Sequence, residues 1–214
     1  MRTIASRRCR EQTSVNASAR PRIAFLTGQS DPGRCALSPA QRRMLDQLAE
    51  AAPDLDCTPH NFPWPAETPP WRVVPLLRAS LANGRQWRAA RRGSLSPFGA
   101  DAIAMAQSRL RDAPRTLLLA GSCGLSLLDA LIAAFDNAER ARVRVVAYGA
   151  VAPRWPQGID GTALRGDRDR IARWFGPGDG PAPQSLACGH LDYLDHDAVV
   201  DAARAQFAWL RGFA

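Results

Sequence analysis

The chain has 214 residues, enough for one domain with a sizeable hydrophobic core, and a net charge of +8. That charge comes from arginine alone, because the sequence contains no lysine, and the arginines are interleaved with aspartate and glutamate. A nucleic-acid-binding surface concentrates its basic residues, so this scattered pattern argues against a nucleic-acid partner.

The first 21 residues differ in composition from the rest of the chain. They are polar, rich in Arg and Ser, and lack hydrophobic periodicity, which is typical of a disordered segment. We therefore interpret residues 1–21 as a disordered basic leader and residues 22–214 as a single domain. The short apolar run Arg22–Thr27 is the first predicted strand of that domain.

A helix-start signal follows the loop at residues 28–36. Ser38 suits the N-cap, Pro39 suits the first helical position, and Gln41 completes a capping box with Ser38. The helix is predicted to extend to about Ala51.

The later segments alternate between short apolar runs and helical periodicity. We predict strands at residues 55–61, 116–120, 143–151, 161–165 and 184–188. We predict helices over residues 71–92, interrupted at Asn83-Gly84, and over residues 98–112, 125–135, 170–175 and 195–213. The stretch from residue 62 to residue 71 is rich in proline and aromatic residues, which disfavours regular structure.

The alternation of strands and helices predicts an α/β fold. We expect a mostly parallel central sheet of about six strands with helices on both faces, a three-layer sandwich. In such sheets, function concentrates on the loops at the carboxyl ends of the strands. Four loops meet this condition, and they follow Thr27, Ala120, Arg165 and Cys188.

The cysteines and the apolar runs indicate the compartment. The five cysteines form no C-x-x-C pair and are odd in number, which argues against a disulfide framework and a zinc site. No apolar run approaches the roughly 18 residues of a membrane span, and the N-terminus lacks the apolar segment of a signal peptide. We expect a cytoplasmic protein with no membrane partner, no metal and no organic cofactor.

The stretch around Ser122 combines a predicted strand, a tight turn and a predicted helix. Ala120-Gly121-Ser122-Cys123-Gly124 places small residues two positions before and two positions after the serine, so that strand and helix can approach closely. A serine at such a turn resembles the nucleophile elbow of the α/β-hydrolases, with Ala120 in place of the usual first glycine. A turn of the same composition without catalysis is the alternative interpretation.

Two further segments extend this resemblance over residues 22–214. In Leu164-Arg-Gly-Asp-Arg-Asp, an acid follows three residues after the Gly166 that ends a strand, and Cys188-Gly-His precedes the final helix. The order serine, acid, histidine is that of the α/β-hydrolases. The resemblance therefore implies an α/β-hydrolase-like fold in which Ser122 is the nucleophile, Asp169 the orienting acid and His190 the general base.

Each of these assignments has an alternative in the sequence. Asp167 lies on the same loop as Asp169, and His60 and His196 are the other histidines. A cysteine nucleophile at Cys123 is disfavoured, because the position two residues later would then be the large Leu125.

The resemblance also implies an oxyanion hole and a substrate pocket. The backbone N–H of Cys123, which follows the nucleophile, is one expected donor. The other is expected from Gln29, because Thr27-Gly28-Gln29 stands where the family has a His-Gly pair. Trp64 and Trp71 are candidates for the lining of the pocket.

These observations predict a serine hydrolase of the carboxylesterase or thioesterase type. Residues 137–142 are too few to form a lid, so small acyl esters or thioesters are the expected substrates. The alternatives are a catalytically degenerate α/β-hydrolase-fold binding protein, an acyltransferase with the same triad, and an unrelated flavodoxin-like or Rossmann-like binder. The oligomeric state is not predicted.

Overall fold

The structure is a computed structural model that describes residues 19–31, 34–62, 69–95 and 100–213. The strands in these residues are β1 (Arg22–Thr27), β2 (Asp56–Cys57), β3 (Thr116–Gly121), β4 (Val143–Tyr148), β5 (Asp160–Gly166) and β6 (Gln184–Leu186). They form one six-stranded, all-parallel sheet with the order β2-β1-β3-β4-β5-β6. The predicted parallel sheet of about six strands is confirmed.

Helices connect the strands. They are α1 (Pro39–Ala51), α2 (Leu76–Ala90), α3 (Ala100–Asp112), α4 (Gly124–Leu131), α5 (Asn137–Arg140), α6 (Arg170–Phe175), α7 (Asp197–Arg204) and α8 (Phe207–Leu210), with a 3-10 turn at Tyr193–Asp195. The capping box predicted for α1 is confirmed. The side chain of Ser38 accepts from the N–H of Gln41 at 3.2 Å, and the N–H of Ser38 donates to the Gln41 side chain at 2.8 Å.

Successive residues of the strands face opposite sides of the sheet. In β1, Ala24 and Leu26 face a core that includes α2, α3 and α4, whereas Ile23 and Phe25 face a core that includes α1 and α7. All four side chains are fully buried. Because strand side chains alternate with a period of two, one strand contributes to both cores. The result is the predicted three-layer α/β fold.

The interruption predicted at Asn83-Gly84 is wrong, because α2 continues through these residues. A glycine costs a helix roughly 1 kcal/mol relative to alanine. Gln86, two residues after the glycine, is buried and hydrogen-bonded to the loop after β1. Tertiary contacts of this kind outweigh the low helix propensity of glycine.

The helix predicted over residues 195–213 is divided into α7 and α8. The N–H of Gln206 donates to the carbonyl of Ala203, which tightens the last turn of α7. The side-chain carbonyl of Gln206 accepts a 3.1 Å hydrogen bond from Arg144 in β4. This contact with the sheet anchors the chain at the break.

Other element boundaries also differ from the prediction. β2 has only two residues where residues 55–61 were predicted, and α4 ends at Leu131. β4 ends at Tyr148, because Gly149 has a φ of 55° and turns the chain out of the sheet. The one-turn helix α5, with its own capping box, was not predicted.

Most of the predicted leader lies outside the described residues, which begin at residue 19. Nε of Arg20 donates to the carbonyl of Asp54 at 2.8 Å, and the carbonyl of Pro21 accepts from the N–H of Asp56 at 2.8 Å. Residues 20 and 21 therefore lie against the turn that leads into β2. The interpretation of residues 1–18 as disordered stays a prediction.

Candidate active site

Ser122 lies at the tight turn between β3 and α4. Its φ is 52°, and it is the only non-glycine residue with a positive φ in the described part of the chain. Such a conformation costs of order 1–3 kcal/mol and persists only where the surrounding structure imposes it. The N–H of Val151 donates to the carbonyl of Ser122 at 2.8 Å, which ties the turn to the chain after β4.

The small residues on both sides of Ser122 allow α4 to approach the sheet. A Cβ at Gly124 would lie 1.9 Å from the carbonyl oxygen of Leu26 in β1, so this position requires glycine. The Cβ of Ala120 would lie 3.5 Å from that added atom, an ordinary van der Waals distance. The side chain of Ala120 therefore does not obstruct the approach of α4.

The structure brings the three predicted catalytic residues together. Nε2 of His190 lies 3.3 Å from Oγ of Ser122, and Nδ1 of His190 lies 2.9 Å from Oδ2 of Asp169. The three residues follow β3, β5 and β6, whose carboxyl ends lie at one edge of the parallel sheet. Ser122 and His190 are 68 residues apart in the chain, so they become neighbours only when the strands assemble into the sheet.

Asp169 is buried, with 1% of its surface exposed. Its Oδ1 accepts from the N–H of Ala172 at 2.9 Å and caps α6, while its Oδ2 accepts from Tyr193 at 2.7 Å and faces His190. Burial raises the pKa of the Asp169 carboxyl, but these hydrogen bonds prevail and hold the pKa below its usual value. The carboxylate is therefore ionised at neutral pH despite its burial.

Tyr193 is a residue of this site that the sequence analysis did not single out. Its hydroxyl accepts from the N–H of Gly166 at 2.7 Å and donates to Asp169. The ring is buried, and burial raises the pKa of Tyr193, so the hydroxyl keeps its proton at neutral pH. The only signal in the sequence is that Tyr193 follows three residues after His190, which does not indicate this contact.

The alternative acid and histidines lie elsewhere. Asp167 is exposed and pairs with Arg168 at 3.7 Å. His196 is partly exposed at the start of α7, and His60 is buried beside the loop that follows β1. Among the described residues, none of these three joins the hydrogen-bonded series of Ser122, His190 and Asp169.

The environment of Cys123 disfavours its thiol as a nucleophile. The side chain is buried, and burial raises the pKa of the thiol to about 12, so little thiolate forms at neutral pH. A Cβ at Gly28 would lie 2.5 Å from Sγ, which shows how closely the thiol packs against the loop after β1. The backbone N–H of Cys123 directly follows Ser122 at the N-terminus of α4, where developing negative charge is stabilised.

The N–H of Gln29, the second predicted oxyanion donor, is already engaged. It donates to Oε1 of Gln86 at 2.6 Å, and Nε2 of Gln86 donates to Oε1 of Gln29 at 3.1 Å. Both side chains are buried. The N–H of Gln29 is therefore not free to donate to an oxyanion in this structure. The two glutamines are 57 residues apart, so no local sequence pattern indicates the contact.

A cleft of about 970 Å³ opens over Ser122 and His190. Of the two tryptophans singled out in the sequence, Trp71 lies in the wall of this cleft, and Trp64 lies outside the described residues. Apolar lining comes from the segment before α2, from α6 and from the turn after β6, and includes Trp71, Val74, Ile171, Phe175, Leu191 and Leu194. The two residues of α6 were not predicted as pocket residues, although their spacing of four places them on one helix face.

Two further findings concern metal binding and membrane spans in the part of the chain that the structure describes. It contains no group of three or more His, Cys, Asp or Glu side chains arranged to hold a metal ion, and none of its helices is long and apolar enough to cross a membrane. No protein-family model matches the sequence, and no curated protein matches it significantly.

Proposed function

We propose that the protein is a serine hydrolase of the α/β-hydrolase type that acts on small ester or thioester substrates. One observation carries the proposal. Ser122, in a strained turn between strand and helix, faces Nε2 of His190, whose Nδ1 faces the buried carboxylate of Asp169. A neutral serine hydroxyl is a poor nucleophile until an adjacent imidazole takes its proton, and this arrangement provides that imidazole.

The proposed reaction has two halves. Oγ of Ser122 forms a bond with the substrate carbonyl carbon while its proton moves to Nε2 of His190. The imidazolium then donates this proton to the leaving alcohol or thiol as the acyl bond breaks. A water molecule repeats the sequence on the acyl-enzyme, releases the acid and restores the serine. Throughout, Asp169 keeps Nδ1 of His190 protonated and stabilises the imidazolium.

Stabilisation of the oxyanion depends on backbone N–H groups beside Ser122. The N–H of Cys123 at the start of α4 is one donor. The N–H of Gln29 is the second donor only when its 2.6 Å hydrogen bond to Gln86 opens. Binding of substrate therefore requires a small rearrangement of the loop after β1, or catalysis proceeds with a weaker oxyanion hole.

The same hydrogen bond favours a second candidate function. A protein that retains the fold and the cleft but not turnover has no need of a free N–H at Gln29, and Gln86 then serves only to hold the loop against α2. In this case the protein binds a small molecule without hydrolysing it.

Labelling with a small fluorophosphonate distinguishes the two functions. Such reagents react with activated serines, and intact-mass measurement with peptide mapping locates the adduct. We expect a single adduct on Ser122 and none on the Ser122→Ala variant, with labelling of Cys123→Ala retained. Folded protein without an adduct, as judged by circular dichroism, would favour the binding protein. An adduct confined to another serine would contradict the assignment.

A further inference from the structure

We propose that the cleft binds the long apolar chain of its substrate, so that the preferred esters carry an octyl-sized group rather than only acetyl and ethyl groups. The proposal rests on the proposed function, because it names the substrate class of the same site. Its first basis is volume. At about 970 Å³, the cleft lies at the upper end of the roughly 300–1,000 Å³ range of small-molecule sites, far more than a short acyl group fills.

The second basis is the exposure of large apolar side chains at the cleft. Ile171 is 46% exposed, Phe175 52%, Trp71 43% and Leu191 73%, and all four line the cleft. Ile171 and Phe175 are four residues apart on α6 and present one continuous face. Exposed apolar residues scattered over a surface need no explanation, but their grouping around one cavity indicates a ligand that covers them.

The third basis is the connection of these residues to the proposed reacting groups. Asp169 caps the N-terminus of α6, and Leu191 directly follows His190. The apolar surface is therefore carried by the same elements that hold the acid and the histidine. A chain bound along it lies next to Ser122, at the place where its ester bond would react.

The charged groups of the cleft do not favour a charged substrate. Oδ2 of Asp31 accepts from Arg34 at 3.1 Å and from Arg72 at 2.8 Å. Asp192 adds a second carboxylate to the lining, so two positive and two negative charges balance at the cleft wall. The carboxylate of Asp192 accepts from the N–H of Gly189 at 2.9 Å. A neutral ester with an apolar chain fits this surface better than an anionic substrate.

Three esters test the proposal and distinguish the two sides of the ester bond. Ethyl octanoate and octyl acetate are isomers that carry the long chain on the acyl side and the alcohol side, respectively, and ethyl acetate is the short reference. All are assayed as monomers, below the concentration at which they aggregate. Each methylene buried from water is worth about a fourfold rise in kcat/KM, so we expect at least one isomer to exceed ethyl acetate by more than tenfold. The faster isomer identifies the side that occupies the cleft.

Variants of α6 provide the matched control. Phe175→Ala removes a cleft-lining side chain and should reduce the kcat/KM advantage of the long ester over ethyl acetate by roughly fourfold or more, the worth of about one buried methylene. Trp174→Ala removes the neighbouring aromatic residue, which is 71% exposed and does not line the cleft, and should change neither rate. An equal loss in both variants would overturn the proposal.

Failure of this proposal is distinguishable from failure of the proposed function. Labelling of Ser122 by the fluorophosphonate together with equal kcat/KM for all three esters would overturn the apolar-chain proposal and leave the hydrolase intact. If Ser122 is not labelled, calorimetric titration of the Ser122→Ala variant still tests the cleft. Tighter binding of an octyl ester than of ethyl acetate supports the proposal, and equal binding overturns it.

Discussion

Tyr193 donates its hydroxyl proton to Oδ2 of Asp169 over 2.7 Å, within a buried pair. The same oxygen faces Nδ1 of His190 at 2.9 Å, and the tyrosine hydroxyl in turn accepts from the N–H of Gly166 at 2.7 Å. The backbone at the end of β5 thus fixes the tyrosine, and the tyrosine fixes the carboxylate. Tyr193 is a positioning residue for the proposed acid, since it acts on the histidine only through Asp169.

Replacement of this hydroxyl tests its role in activity. We expect Tyr193→Phe to lower kcat for ester hydrolysis by about tenfold with little change in KM, because a less well-held carboxylate orients the imidazole less well. The ring remains, so its packing against Tyr148, at 5.8 Å between centroids, is preserved. Steady-state kinetics measure the effect, and an unchanged kcat would contradict the positioning role.

The same substitution leads to a prediction about how the folding stability of the protein depends on pH. The pKa of Asp169 in the folded protein is lowered, so this group stabilises the fold above its unfolded pKa near 3.8, and the contribution is lost as the pH falls through the folded value. Tyr193→Phe removes one of the hydrogen bonds that oppose the effect of burial and therefore raises that pKa. Thermal unfolding between pH 3 and 7 should show the variant losing stability at a higher pH than the wild type. Identical pH profiles would contradict this explanation.

The hydrogen bond between Gln29 and Gln86 leads to a prediction with opposite effects on rate and stability. Gln86→Met keeps the side-chain length but leaves no acceptor for the N–H of Gln29. We expect kcat to rise about threefold or more, because that donor becomes available to an oxyanion. Loss of two buried hydrogen bonds should lower the free energy of unfolding by about 1–3 kcal/mol.

A glutamine elsewhere serves as the control for that variant. Nε2 of Gln107 in α3 donates to the carbonyl of Leu131 at 2.8 Å, away from the cleft. Gln107→Met should lower stability without raising kcat. A fall in kcat for Gln86→Met would show that the glutamine pair supports the active conformation rather than blocking the donor.

Gly124 and Gly84 have different surroundings, so substitution by alanine should change the stability of the protein in opposite directions. Gly124→Ala places a Cβ 1.9 Å from the backbone oxygen of Leu26, a clash that no side-chain rotation relieves, and should cost about 3 kcal/mol or more. Gly84→Ala, in the interior of α2 with no atom within 4 Å of the added Cβ, should instead stabilise the protein by about 0.5–1 kcal/mol. Urea unfolding of both variants measures the difference. Equal stabilities would show that α4 does not lie against β1 as described.

The thiol of Cys123 should be inert although it adjoins the proposed nucleophile. Because burial raises the pKa of this thiol to about 12, alkylation by iodoacetamide at pH 8 should be far slower than that of a free thiol. Cys123→Ala should retain most of the proposed esterase activity. Peptide mapping after timed alkylation measures the first effect. Rapid modification of Cys123 that abolishes activity would point to a thiol nucleophile instead.

The features that depend on neighbouring residues in the chain could be predicted from the sequence. The apolar run at Thr116–Gly121, the capping box at Ser38 and Gln41, and the small residues around Ser122 are local patterns whose physical causes act over a few residues. The alternation of strands and helices then predicts the parallel sheet, because parallel strands need crossover connections.

The contacts between distant segments were decided by the tertiary structure. Gln86 is hydrogen-bonded to Gln29 across 57 residues, and the apolar face of α6 meets the cleft only once β4, β5 and β6 have joined β3 in one sheet. Asp169 and Asp167 are two residues apart and chemically alike in the sequence. Only the fold buries one against His190 and Tyr193 and leaves the other exposed, because burial and hydrogen-bond partners depend on which strand ends share an edge of the sheet.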